Sequence, residues 1–547
     1  MPTIPYNEFT ASASSSSNLF TDYISFYPKL EKYFNGNFRS NSDWEIILEN
    51  VSSRKYERSL LVQILSEQNK SIHCSVSTLA NIDLLYNENS LAIVTGQQIG
   101  ILGGPLYTIY KLITCIKLTE SLKQTFPKYN FVPGFWAEAE DHDFLEINKI
   151  TSVDNHNKLN TIEYLIGEKQ PEKYLTPVGN LKFDIKISEF IEKLKLLFTE
   201  TEFTPPLFDL INSLYRDGKN FCDSFNELLN QLFHQYGVIF INPNTPALKQ
   251  IAKNVFVNEL SNNSEVSKRV IKTSAELEEN YHAQLKSKSV NLFLNHKGGR
   301  YSIEPQTDHY FLKNTRQTFP MSELKELANT NPENFSTNVV LRPIYQDTIL
   351  PTVAYVAGPS EICYFAQLKS VYEYFDIPMP IIYPRASITL IEKKISAISE
   401  KFNLELQNMM LNPLELKKLI TEQNGEVDFE SLYSGLLNKM INLTNEAKFG
   451  ILQIDPTLEG PLNSFVQKIV SGIQVLKEKT IQAKTNRDNV IENQYIKFLN
   501  NIFPLNQPQE RVFNIIYFLN KYGPDFINWI YNEVDFELFE HQLIEIE

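Results

Sequence analysis

The chain runs to 547 residues, more than one simple core holds, so two or more domains are expected. Hydrophobic residues make up 42% and charged residues 21%, the ordinary balance of a soluble globular protein. The net charge of −14, from 65 acidic and 51 basic residues, argues against broad binding of nucleic acid or anionic membranes, while a local basic pocket for a phosphate stays compatible with it.

The opening, MPTIPYNEFTASASSSSNLF, lacks a basic region followed by an apolar core, so no secretion signal is expected. No run of about eighteen apolar residues occurs, so no membrane span is expected either. Residues 1–80 read as a helical lead-in, with Trp44, Ile46, Ile47 and Leu48 in one segment and Leu60, Leu61 and Ile64 in another. A core over 81–386 starts with Leu91–Val94, a short buried strand. Gly96, Gly100, Gly103 and Gly104 follow, then Pro105, then Leu106, Ile109, Leu112, Ile113 and Ile116 at helical spacing. Strand, glycine-rich turn and helix start is one way to hold an anion against free backbone amides. The alternative is a tight turn packed under a neighbouring helix; neither G-x-x-x-x-G-K-[ST] nor G-x-G-x-x-G is present.

A second strand, Phe131–Ala137, ends in a charged turn, and this alternation predicts a parallel sheet with crossover helices. Insertions are expected at about 150–235 and 250–335, the latter with a hairpin in NLFLNHKGGRYSIEP around Gly298 and Gly299. VVLRPIYQDTILPTVAYVAGPSEICYFAQL reads as a further sheet-like pair leading into a helix from Ser360. Residues 387–500 turn helical: Leu436, Met440, Leu443, Ala447, Gly450 and Ile454 alternate spacings of four and three, and Leu462, Ile469, Leu476, Ala483 and Val490 recur every seven. Both an ordinary helical bundle and an antiparallel coiled coil fit that pattern. Residues 501–547 look like a small helical return.

The densest polar cluster is Glu138, Glu140, Asp141, His142 and Asp143, where a parallel strand would end and where open α/β sheets place ligands. Such a turn suits magnesium, a substrate amine or a general base; alternatively its acids favour a helix N-terminus. Zinc would want more His or Cys at defined spacing. Lys111 suits a phosphate or a solvated helix face. Glu361 falls in a first helical turn, with Tyr364 and Gln367 on roughly the same face. Arg385 suits a carboxylate or phosphate clamp, or pairing with an acid at a domain boundary. Cys74, Cys115, Cys222 and Cys363 show no metal or disulfide spacing, which suggests a reducing, cytoplasmic setting, and Cys115 and Cys363 read as buried inert thiols.

Taken together, TGQQIGILGGPLYTIYK, FWAEAEDHDF, VAGPSEICYFAQL, YPRASITLIE and PQERVFNIIYFLNKYG resemble the bacillithiol synthase (BshC) family of cysteine ligases, in order and over nearly the whole chain. The resemblance implies an α/β fold: a Rossmann-like core with inserted connecting segments, then a C-terminal α-helical coiled-coil domain supporting homodimers. It implies addition of cysteine to glucosaminyl malate by amide formation. It would place Thr95, Gly96, Gln97, Gln98, Gly103, Gly104, Tyr107, Glu140, Gly358, Glu361, Tyr364 and Arg385 around the substrates, with Asp141, His142 and Asp143 as catalytic candidates and His142 or Asp143 as base. ATP or ADP is implied, with Lys111, Gln509, Glu510 and Arg511 as nucleotide candidates and magnesium left open. ATP use follows from likeness to class I aminoacyl-tRNA synthetases, although H-I-G-H and K-M-S-K-S signatures are absent. This chain departs from the family pattern at Ser360, where a glycine is expected, and in INPNTP, where Asn242 and Asn244 replace the acids of the family's acidic turn. Rival readings are a metal-dependent hydrolase using the acidic turn and a non-catalytic coiled-coil scaffold.

Overall fold

The structure is a computed structural model that describes residues 2–11, 17–167, 175–262, 264–401, 428–487 and 489–546. It divides into two compact units, Thr3–Thr389 with Gln507–Ile544, and Leu390–Asn506.

The first unit is built on a five-stranded parallel sheet. Its elements, in chain order, are β1 (Ser90–Gln98), α1 (Tyr107–Thr125), β2 (Asn130–Glu138), β3 (Ile239–Ile241), β4 (Leu292–His296), β5 (Gly299–Pro305), β6 (Phe335–Thr337), α2 (Arg342–Ile349), β7 (Thr352–Ala357), α3 (Pro359–Phe365) and β8 (Ile381–Pro384). The parallel sheet has the order β8-β7-β1-β2-β3, with every neighbouring pair parallel. The chain starts at the centre, works outward through β2 and β3, then returns to the other side of β1 for β7 and β8. That reversal is the doubly wound pattern, and it puts the switch point between β1 and β7. The strands read as continuous apolar runs because both faces are covered: Leu91–Val94, Phe131, Phe135, Trp136 and all of β7 are buried.

The lead-in helices belong to this unit rather than standing apart from it. Asn41–Ser52 and Arg58–Ser71 bury Trp44, Ile47, Leu48, Leu61 and Ile64. Asn69 closes the open edge of β3, accepting from Phe240 N at 2.9 Å and donating to Phe240 O at 2.9 Å. The terminal segment also packs here and is not purely helical: it ends in a strand, His541–Ile546, which pairs with Thr3 and Ile4.

The predicted hairpin is present as β4 and β5, in a five-stranded antiparallel sheet completed by β6, His309–Leu312 and Thr318–Pro320. Its turn residues are Lys297 and Gly298, both at positive φ, one position earlier than the glycine pair suggested. The predicted sheet-like pair is a helix followed by a strand. Arg342–Ile349 is helical with Pro343 in its first turn, and it is buried on nearly all sides, which erases the polar face that betrays a helix in sequence.

The glycine-rich turn resolves in favour of close packing. Gly100 and Gly104 touch: a Cβ on Gly100 would sit 2.8 Å from the Gly104 Cα. Gly103 and Gly104 hold φ of +88° and +70°, values that favour glycine. The turn's groups are met from within the protein. Leu106 N donates to Phe513 O (2.8 Å), and Asn514 Nδ2 donates to Leu102 O and Gly104 O (2.9 and 2.7 Å).

In the second unit, Phe429–Ile454 and Glu459–Arg487 form an antiparallel helical hairpin: Lys477 meets Glu430 at one end and Lys448 meets Glu459 at the other. A buried cluster there holds Phe429, Tyr433 and Ile481, outside the stripes expected from sequence, of which Leu462 is buried and Leu476 is exposed. Leu436, Met440 and Leu443 continue the four-and-three spacing of Phe429 and Tyr433 along the same helix yet are exposed, Leu443 by 60%. The side chains of Ala483 and Val490 lie outside the described residues.

Candidate active site

A cavity of about 500 Å³ opens at the carboxyl ends of the parallel strands, across the switch point. The end of β1 contributes Gly96, Gln97 and Gln98, and α1 contributes Tyr107 and Lys111. The end of β2 contributes Glu138, and the turn after it Glu140, Asp141 and His142. Gly358, Glu361 and Tyr364 enter from the β7–α3 junction, Arg385 follows β8, and Arg511 reaches in from the terminal segment. Phe293, Arg300, Asn338 and Arg342, absent from the sequence-based candidates, complete the opposite wall.

The lining is a set of buried cation–carboxylate pairs. Lys111, only 3% exposed, is 2.5 Å from Glu361 Oε2 and donates to Gly96 O at 2.8 Å, so it is neither a solvated lysine nor a free phosphate ligand. Burial lowers its pKa, opposed by Glu361. Burial alone would raise Glu361, but Lys111 and the Gly358 amide hold it below the usual carboxylate range. Tyr355 also donates to Glu361 Oε1 at 2.9 Å. Glu140 sits 2.7 Å from the buried Lys249, and Asn244 of the INPNTP turn accepts from that lysine at 3.3 Å. The asparagine turn thus supports the site indirectly, without a charge of its own.

Asp141 accepts from Gln98 Nε2 at 2.8 Å and lies 3.7 Å from Arg300. Burial opposes its charge, yet Gln98 and Arg300 together hold it below the usual range. Arg300 also donates to Thr337 O and Ser336 Oγ, stacks over Phe293 at 3.7 Å, and contacts His142 Nδ1 at 3.0 Å. A guanidinium only donates, so His142 Nδ1 must accept and its proton belongs on Nε2. Burial, and then Arg300, hold His142 below its ordinary pKa, which keeps the ring neutral. In this arrangement His142 offers the cavity an N–H donor rather than a base.

Several sequence-based candidates fall elsewhere. Thr95 is buried within the sheet, its hydroxyl donating to Val356 O at 2.9 Å. Gly103 and Gly104 belong to the packed turn, Gly103 facing Leu228 and Leu229. Asp143 precedes the short helix Phe144–Ile147 and does not line the cavity. Gln509 and Glu510 are buried; Glu510 forms a bidentate pair with Arg385 (2.5 and 3.0 Å) and accepts from Ser387 Oγ and Ile388 N. Arg385 is therefore paired with an acid, as the alternative reading had it, while still bordering the cavity. Arg511 is exposed at the rim, with no ion pair among the described residues. Ser360 is also exposed there, where glycine's freedom is not needed. Three cysteines are buried, and burial pushes the Cys115 and Cys363 thiols up to about 12, leaving them unreactive.

A doubly wound α/β unit with a charge-lined crevice at its switch point, joined in one chain to an antiparallel helical hairpin, defines the class. Residues 4–386 match the family model for the bacillithiol biosynthesis BshC N-terminal Rossmann-like domain, and residues 388–546 match that for its C-terminal coiled-coil domain. Relatives named "Putative cysteine ligase BshC" include those of Chloroherpeton thalassium (35% identical over 99% of both chains), Chlorobaculum tepidum (33% over 96% of both) and Bacillus velezensis (29% over 98% of this chain and 100% of the other). The chain belongs to the BshC family of bacillithiol biosynthesis.

Proposed function

We propose that the cavity is the active site of a ligase that joins L-cysteine to the amine of glucosaminyl malate through an amide bond. The observation that carries this reading is the cavity itself: cations and carboxylates alternate around it, which suits a zwitterionic amino acid together with an amino sugar bearing a dicarboxylate. Arg511, free of an ion pair, is the lining cation able to take a substrate carboxylate or phosphate without breaking an existing contact. ATP, in this reading, supplies activation of the cysteine carboxyl, with Arg511 meeting its phosphates; magnesium enters as a companion of those phosphates, whose oxygens it prefers. The hydrolase alternative is disfavoured because Glu140 and Asp141 are engaged by Lys249, Gln98 and Arg300 rather than converging on one point. No helix among the described residues is long and apolar enough to cross a membrane, which is compatible with work in the cytoplasm.

The test is mass spectrometry of purified protein incubated with cysteine and glucosaminyl malate, with and without ATP and magnesium. Amide product only with ATP supports the ligase and its activation route together. Product without ATP keeps the ligase and overturns the route. No product, even with cell extract added, overturns the ligase.

The exposed apolar stripe on Phe429–Ile454 supports homodimerisation through the hairpin, a second copy covering Leu436, Met440 and Leu443. Leu443→Glu is expected to shift the mass measured by light scattering from two chains to one, while leaving helix content unchanged. A wild-type protein that is already one chain at micromolar concentration contradicts the dimer.

A further inference from the structure

We infer that Glu138 is the general base of the site: its carboxylate takes the proton from the amine substrate. This rests on the ligase reading and replaces His142 and Asp143 in that role.

The argument is one of free capacity. Of the four carboxylates lining the cavity, Glu140 meets Lys249 and Thr337, Asp141 meets Gln98, the His142 amide and Arg300, and Glu361 meets Lys111, Tyr355 and the Gly358 amide. Glu138 has one ion contact, Arg342 Nε at 3.2 Å from Oε1, and no hydrogen bond among the described residues. Its side chain keeps 23% exposure, and it lines the cavity as the last residue of β2, adjacent in register to Gln98. A rigid central strand holds its backbone, which is how a proton acceptor is kept in place. His142 fails the same test because Nδ1 already accepts from Arg300, and Asp143 lies outside the lining.

The surroundings set its basicity. Glu140 and Asp141 stand in the turn that follows it, Glu361 and Tyr364 face it from α3, Tyr355 from β7, Arg342 from α2 and Arg300 from the hairpin. Burial, and then the neighbouring carboxylates, push Glu138 up to about 7 against the opposing pull of Arg342. A carboxylate near neutrality is half available as a base and holds a proton well enough to remove it from an amine. In the step, an N–H bond of the substrate ammonium breaks, its electron pair stays on nitrogen as the lone pair and an O–H bond forms on Glu138. The C–N bond to the cysteine carbonyl carbon then forms as that carbon's bond to its activating phosphate oxygen breaks, the phosphate leaving with the electron pair.

The test is the pH dependence of kcat/KM for amide formation in wild type, Glu138→Gln and Glu138→Asp. Wild type should show an acid limb centred near 7. Glu138→Gln should lose about 10²–10⁴-fold and lose the limb with it, while Glu138→Asp recovers part of the rate with a displaced limb. Calorimetric binding of glucosaminyl malate at pH 7, in buffers of different ionisation enthalpy, adds a readout independent of turnover. A proton exchanged on binding in wild type should disappear in Glu138→Gln. Wild type that makes no product sinks the ligase reading and the base with it. An active Glu138→Gln with an unchanged limb and unchanged proton exchange sinks the base alone.

Discussion

Glu510→Ala is expected to destabilise the first unit by about 3–5 kcal/mol, because it strands a buried guanidinium. Arg385 and Glu510 are 3% and 4% exposed and joined by two hydrogen bonds. All three tryptophans, Trp44, Trp136 and Trp529, lie in this unit, so urea unfolding followed by tryptophan fluorescence reports its stability. Replacing both partners, as in Arg385→Met with Glu510→Leu, should cost less than Glu510→Ala alone, since no charge is then left uncompensated. A loss below about 1 kcal/mol for Glu510→Ala would contradict the pairing. The pair also has a sign in pH. Burial would raise Glu510, but Arg385 holds its folded pKa below the unfolded value of about 4.3. Its contribution is therefore complete above about pH 4.3 and fades as pH falls through the lower folded value.

Arg342→Met should damage activity on the scale of Glu138→Gln, with a loss of about 10²–10⁴-fold in kcat/KM at pH 7. Arg342 is buried, faces Glu138 and Tyr364, and lies 4.8 Å over the Tyr355 ring. It is the group that pulls Glu138 down, so its removal leaves burial and the neighbouring carboxylates unopposed. The acid limb of kcat/KM should therefore move to higher pH, and at pH 7 most of Glu138 would hold a proton. A variant within tenfold of wild type, with the limb unmoved, contradicts this coupling. Unfolding by tryptophan fluorescence separates lost activity from lost structure.

The parallel core was legible because Leu91–Val94 and Phe131–Ala137 are short apolar runs closed by turns, and both ends carry the polar residues that line the cavity. The acidic turn was legible for the same reason. What the sequence could not show was which of its members is free. Glu138, Glu140 and Asp141 look alike in FWAEAEDHDF; their difference comes from Arg342, Lys249 and Arg300, which lie more than a hundred residues away. Lys111 was ambiguous because a lysine on a helix carries no local mark of burial, and only Glu361 decides it. Arg300 and Arg342 were missed since one follows a hairpin turn and the other opens a buried segment; an arginine inside apolar LRPIYQ was the available signal. On the hairpin, Leu436, Met440 and Leu443 keep the spacing of the buried Phe429 and Tyr433 but are exposed, so periodicity found a stripe without saying how far along it the packing runs.

The central claim is that the cavity at the carboxyl edge of the parallel sheet carries the ligation, and blocking it without touching its ion pairs tests this most directly. Ser360 is exposed at the cavity rim, so Ser360→Trp fills space there while leaving the buried pairs intact. With amide product quantified by mass spectrometry, the variant should unfold like wild type and form little or no product. Product at the wild-type rate would place the chemistry elsewhere in the molecule.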